Sequence, residues 1–163
     1  MREWRALTDS EFVELATRLR SLDWSWNLDD APPLIADFGW TINNTLSQLV
    51  KFDTGFGRST GGVSSLGGRA ADISVQVTTY AGRDAEGRAR VLDTFAGYTA
   101  ALIGAIGEPT ARLPGEYPEI RWAGAQTTLR LQALSSSVTL HLMTNEGLAR
   151  HDRIVRLQEQ GMM

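Results

Sequence analysis

Residues able to do chemistry are few and scattered in this chain of 163 residues. Cysteine is absent, which removes thiolate nucleophiles, disulfides and thiolate metal ligands. The only histidines are His141 and His151. A Ser–His–acid group needs a histidine near a serine held on a sharp, glycine-flanked turn between strand and helix. His141 falls in the middle of an expected strand, and Ser10, Ser25, Ser47 and Ser135-Ser136-Ser137 lack that setting. His151 and Asp152 are neighbours on an expected helix, where adjacent side chains diverge. The acidic pair Asp29-Asp30 has the residue types for acid–base work. It stands just before Pro32-Pro33 at an expected helix start, where acids complement the helix dipole. The stretch Gly55-Phe56-Gly57-Arg58-Ser59-Thr60-Gly61-Gly62 resembles a phosphate loop only in its glycines. Such a loop needs a lysine before its last hydroxyl residue and a helix directly after. No lysine is nearby and a strand is expected to follow, so a glycine-rich hairpin or bulge is the reading. No catalytic, cofactor-binding or metal-ligating residue is therefore expected, and the chain reads as a non-enzyme.

The composition is that of an ordinary globular domain: 42% hydrophobic, 21% charged and 8% aromatic. At this length one core suffices, and residues 1–163 read as a single domain. A net charge of -3 leaves no basic footprint for nucleic acid. The charge is unevenly spread: -4 over residues 1–56, +1 over 57–107 and zero over 108–163. An acidic N-terminal third can steer a basic partner. The opening Met1-Arg2-Glu3-Trp4-Arg5 has no signal-peptide character. No apolar run approaches the roughly 20 residues of a membrane span. A cytoplasmic protein without membrane contact is expected.

The elements follow from periodicity and caps. Thr8-Asp9-Ser10-Glu11 is a capping-box pattern, and Phe12, Leu15, Ala16, Leu19 and Leu22 form a helical stripe over 9–22. A short helix over 31–38 is expected, capped by Asp30 and stopped at Gly39. From Trp40 the period becomes two, with a turn at Asn43-Asn44 and a returning strand over 46–53. A short strand over 63–66 and a firmer one over 72–80 follow. Asp84 caps a central helix over 83–106 that Gly107-Glu108-Pro109 ends. Strands over 120–123, 127–132 and 138–144 lead to a last helix capped by Asn145. The order α-α-β-β-(β)-β-α-β-β-β-α implies an α+β fold, a two-layer antiparallel sheet with helices on one face.

With no catalytic group, attention falls on contact residues. Trp24 and Trp26 flank Ser25, and Trp, Tyr and Arg are favoured at binding hot spots. The expected partner-binding residues are Trp24, Trp26, Asp29 and Asp30, with Phe56 and Arg58 of the glycine-rich loop.

Several stretches resemble a family of small uncharacterised actinobacterial proteins. They are Trp4-Arg5-Ala6-Leu7-Thr8 through Trp24-Ser25-Trp26, Phe52-Asp53-Thr54-Gly55-Phe56-Gly57 and Gly107-Glu108-Pro109-Thr110, with the closing strands from Arg121-Trp122 to Thr144-Asn145. The resemblance implies an immunity partner of a secreted polymorphic toxin. The element order is also similar to the secretion-chaperone-like α+β fold, whose exposed faces bind another protein. The function expected is a cytoplasmic immunity protein that occludes a cognate toxin, one acting on NAD or nucleic acid. The alternative is a secretion or folding chaperone for a partner protein. The oligomeric state stays open.

Overall fold

The computed structural model of the chain describes residues 3–161; Met1–Arg2 and Met162–Met163, the ends of the expected domain and of its N-terminal reading, lie outside the described residues. Helix α1 spans Asp9–Arg20. Its capping box is complete: Thr8 Oγ1 accepts from Glu11 N at 3.1 Å, and the Glu11 carboxylate accepts from Thr8 N at 2.9 Å. Phe12, Ala16 and Leu19 are its buried stripe. A single turn of 3-10 helix, Leu28–Asp30, leads into α2, Ala31–Asp37. Asp30 does not cap α2 with its side chain; its carboxylate accepts from Ser25 Oγ at 2.6 Å instead.

Eight antiparallel strands follow in two groups of four. The first group is β1 (Thr41–Thr45), β2 (Leu49–Asp53), β3 (Gly61–Leu66) and β4 (Arg69–Gln76). Helix α3, Ala85–Ile106, crosses to the second: β5 (Ala111–Leu113), β6 (Glu119–Ala123), β7 (Thr127–Ala133) and β8 (Val138–Thr144). Helix α4, Asn145–Glu159, ends the described chain. The strands lie in the order β1-β2-β3-β4-β8-β7-β6-β5, so β4 and β8 join the groups at the centre. The α+β class is as expected, with one additional strand, β5.

Two local expectations are corrected. Asn43 and Asn44 do not turn the chain; they lie inside β1, where the register slips at Asn43. The Asn43 carboxamide oxygen accepts from Ser59 N at 2.6 Å, which holds the bulge against the β2–β3 loop. Thr144, not Asn145, caps α4. The Asn145 side chain accepts from Thr128 Oγ1 at 2.8 Å and donates to Gly124 O at 3.0 Å, pinning the turn between β6 and β7.

Strand alternation divides the sheet into two faces. Val50, Phe52, Ile73, Val75, Leu129, Leu131, Leu140 and Leu142 point to one side and form the core with α1, α2 and α3. Phe12 of α1 stacks on Tyr98 of α3 with centroids 4.1 Å apart. The Tyr98 hydroxyl donates to Leu7 O at 2.6 Å, and burial pushes its phenol well above the usual range. Gly61 matters here, because a Cβ would overlap the ring of its cross-strand partner Phe52. The expectation of helices on one face holds for α1, α2 and α3 only. Helix α4 packs on the reverse side of β4, β7 and β8. Ion pairs on that side give it a footing that an apolar pattern does not reveal.

Candidate functional site

The six expected contact residues fall into two groups. Trp24, Trp26, Asp29 and Asp30 belong to a strap that follows α1. Trp26 O accepts from Ala70 N at 2.8 Å, and Leu28 N donates to Gly68 O at 3.1 Å, so the strap is stitched to the β3–β4 turn. The two indoles meet with centroids 5.1 Å apart. Trp26 adopts φ 55°, a conformation that bulky side chains rarely take. The Trp24 indole N–H is buried without a hydrogen-bond acceptor. Asp29 and Asp30 are exposed. Phe56 and Arg58 lie at the opposite end of β3, about 20 Å away by strand rise.

The loop carrying Phe56 is tightly built. The Asp53 carboxylate accepts from Gly55 N at 2.7 Å and Gly57 N at 3.1 Å. Thr60 Oγ1 donates to Gly57 O at 2.7 Å and accepts from Thr54 N at 3.0 Å. Thr54 Oγ1 donates to Gln76 O at 2.9 Å. Gly55 and Gly57 take φ of 105° and 126°, which only glycine enters at low cost. The segment is thus a braced loop running into β3. It aims Phe56 toward α1, where Arg5 sits over the ring at 5.2 Å and donates to Gly55 O. Arg58 remains exposed.

Between this loop and α1 lies a cleft of about 190 Å³. Its walls include Phe56, Glu11 and Glu14 of α1, and Phe38 and Trp40 from the end of α2. The aromatic wall is a continuous stack: Arg18 over Phe38 at 3.9 Å, Phe38 on Trp40 at 4.6 Å, and Trp40 on Phe52 at 4.8 Å. Phe56 alone among the expected residues lines this cleft. Glu11, Glu14, Phe38 and Trp40 were not among the expected contact residues, because their convergence depends on how α1, α2 and the loop dock.

A second polar cluster lies on the reverse face. Arg121 pairs in register with Arg130, and Arg130 with His141. Two arginines side by side would repel. Glu119 resolves this by accepting from both, at 2.7 and 3.0 Å from Arg130. Arg121 also grips Asp152 of α4. Burial alone would raise Glu119, but hydrogen bonds and charge from Arg130 and Arg121 outweigh it and hold the carboxyl below its usual range. The Arg121 hydrogen bonds hold Asp152 low as well. Burial, followed by the Arg130 charge, lowers His151. His141 Nδ1 lies 3.0 Å from Asp72. The sequence signal for this cluster was the charge at alternate positions Glu119 and Arg121, which assigns both to the face opposite Ile120 and Trp122.

Among the described residues no three His, Asp or Glu side chains gather as a metal site, and no helix is long and apolar enough to cross a membrane. A larger hollow, about 520 Å³, lies at the start of α3 beside Trp4 and Tyr80. Two of its charged groups are already engaged: Asp84 caps Gly87 N, and Arg90 lies over Trp4 at 5.9 Å.

A model of a protein family of unknown function matches residues 10–144, most of the chain. The chain belongs to that family, DUF6301. The matched region of this DUF6301 protein runs from α1 through β8 and contains the cleft, the strap and the arginine pair. Helix α4, with Asp152, follows the matched region. No curated protein and no solved structure matches the chain.

Proposed function

We propose that this protein is a cytoplasmic immunity protein, which binds a cognate secreted toxin and occludes it. The observation that carries the reading is the cleft between α1 and the β2–β3 loop. At about 190 Å³ it is smaller than the roughly 300–1,000 Å³ of small-molecule sites. It suits one anchoring side chain of a protein. Half-buried Trp40, with Phe38 and Phe56 beside it and Arg18 at the rim, supplies the aromatic and arginine side chains found at binding hot spots. The braced loop and the capped helix hold the walls in place before binding, which lowers the ordering cost of association.

The exposed Asp9 at the start of α1 extends the acidic surface of Glu11 and Glu14 beyond the cleft. They would oppose the basic rim of a toxin that acts on NAD or nucleic acid, and complementary charge speeds encounter. A chaperone that holds an extended chain needs a long groove. This cleft is one side chain long, which favours the immunity reading over the chaperone reading.

The test is co-expression with the protein encoded by the adjacent reading frame. The expected result is a stable complex on size-exclusion chromatography and relief of that protein's toxicity. Unrestricted toxicity with no complex would sink the reading.

A further inference from the structure

We propose that helix α4 is a hinged flap, which lifts from the sheet beyond its first turn while the rest of the domain stays folded. The inference stands apart from the immunity reading and rests on how unevenly the helix is fastened. Its first turn is secured. Asn145 N donates to Gln126 O at 2.9 Å, Thr144 Oγ1 accepts from Gly147 N at 3.1 Å, and Gly147 and Leu148 are buried. From Ala149 to Glu159 no residue is buried. Over that length, among the described residues, one side-chain pair joins the helix to the sheet by hydrogen bonds, Arg121 with Asp152. The matched region of the family ends at Thr144, the residue that caps this helix.

The seat under the helix is loose. A hollow of about 300 Å³ lies between α4 and the sheet, with His151 and Ile154 on one side and Ser64, Asp72 and Met143 on the other. Ile154 and Leu157 remain exposed. An element with so few buried apolar contacts opens at little cost. The polar groups left behind keep partners. Arg130 retains both bonds to Glu119, at 2.7 and 3.0 Å, Arg121 retains Glu119, and Asp72 retains His141 at 3.0 Å. Lifting therefore strands no buried charge, the penalty that otherwise keeps a polar contact shut.

His151 makes the seated position sensitive to protons. The groups that face it are Arg130 of β7, Glu119 and Arg121 of β6, and Asp152 beside it, two cations against two anions. Asp72 of β4 and Arg150 of α4 line the same hollow, the first paired with His141 and the second with Glu146. Burial, and then the Arg130 charge, disfavours a proton on His151 while the helix is seated. Lifting returns the ring to water. Closure is therefore complete above about pH 6.5 and weakens as pH falls below it.

The chain has no cysteine, so an introduced thiol is alone. Met143→Cys places one beneath α4, and Leu140→Cys places one on the core face of the same strand. Each is labelled with dithiodipyridine, and the rate is divided by that of the same chain in denaturant at the same pH. The Met143→Cys thiol should label about tenfold faster than the Leu140→Cys thiol at neutral pH. Its lead should grow about threefold or more as pH falls to about 5.5, and His151→Gln should abolish that growth. Equal protection of the two thiols overturns the proposal, because α4 then opens only with the whole domain. An acid response that His151→Gln leaves intact overturns the role given to His151. Hydrogen exchange of the unaltered chain gives the same reading without a thiol. The amides from His151 to Val155 should exchange ahead of those of β8, and exchange in step with β8 overturns the flap.

Discussion

Arg121 holds Asp152 through two parallel hydrogen bonds, each 2.8 Å, and so ties β6 to α4 across the reverse face of the sheet. Only Gly147 and Leu148 of α4 are buried, so this pair and its neighbours do much of the fastening. The Arg121 side chain is 13% exposed, which makes loss of its partner costly. Asp152→Asn keeps the shape and removes the charge. It should destabilise the protein by about 1–3 kcal/mol, read as a lower urea midpoint. The amides of α4 should lose hydrogen-exchange protection before those of β7 and β8.

The same face should make the protein sensitive to acid. Glu119 and Asp152 are held below their ordinary range in the folded state. The stability they contribute is complete above the ordinary carboxylate range, near pH 4, and drains away as pH falls through their lower folded values. His151 acts in the same direction from a higher pH. Burial keeps it neutral when folded, so the unfolded chain takes up the proton first, and stability falls as pH drops below about 6.5. Replacing His151 by Gln should flatten the loss that begins below about pH 6.5 and leave the steeper loss in the carboxylate range. Thermal melts across that range read both parts, and an unchanged upper part would count against the assignment.

Gly61 tests the packing behind the cleft. A methyl group there meets the Phe52 ring, which ends the Phe38–Trp40–Phe52 stack. Gly61→Ala should cost about 1–3 kcal/mol through overpacking. Pairing it with Phe52→Leu should recover part of that loss, a coupling that a double-mutant cycle measures. Additive losses would mean that the ring moves aside freely.

Phe56 is half-buried and sits on a loop braced by its own hydrogen bonds. Phe56→Ala should therefore change the melting temperature little. Under the proposed immunity role, it should weaken binding of the partner by tenfold or more, about 1.4 kcal/mol, as measured by calorimetry. Arg58, exposed on the same loop, should tolerate Ala with a much smaller effect.

What the sequence made legible was local. The α1 stripe, the Asp84 cap, the Gly107 stop and the alternation of β8 each need only neighbours in the chain to declare themselves. Asn43-Asn44 misled because asparagine suits a turn and a bulge equally well. Strand β5 is three residues long, too short for alternation to register. The reverse placement of α4 depends on Arg121 meeting a residue 31 positions away, and no periodicity encodes that. The cleft was half visible for the same reason. Phe56 stood out among glycines, while Phe38 and Trp40 joined it only once α2 docked beside α1.

The strap supplies the last prediction. Trp24 and Trp26 come together, but at a cost visible in two places. Trp26 is held at φ 55°, and the Trp24 N–H is desolvated with nothing to accept it. An unpaired buried donor costs about 1–3 kcal/mol, and removing it with its shape largely kept is neutral or stabilising. Trp24→Phe should therefore match or exceed the wild-type urea midpoint, against the usual loss for a truncated aromatic. A Trp24→Phe chain that loses stability would instead make the indole a packing element whose donor is simply tolerated.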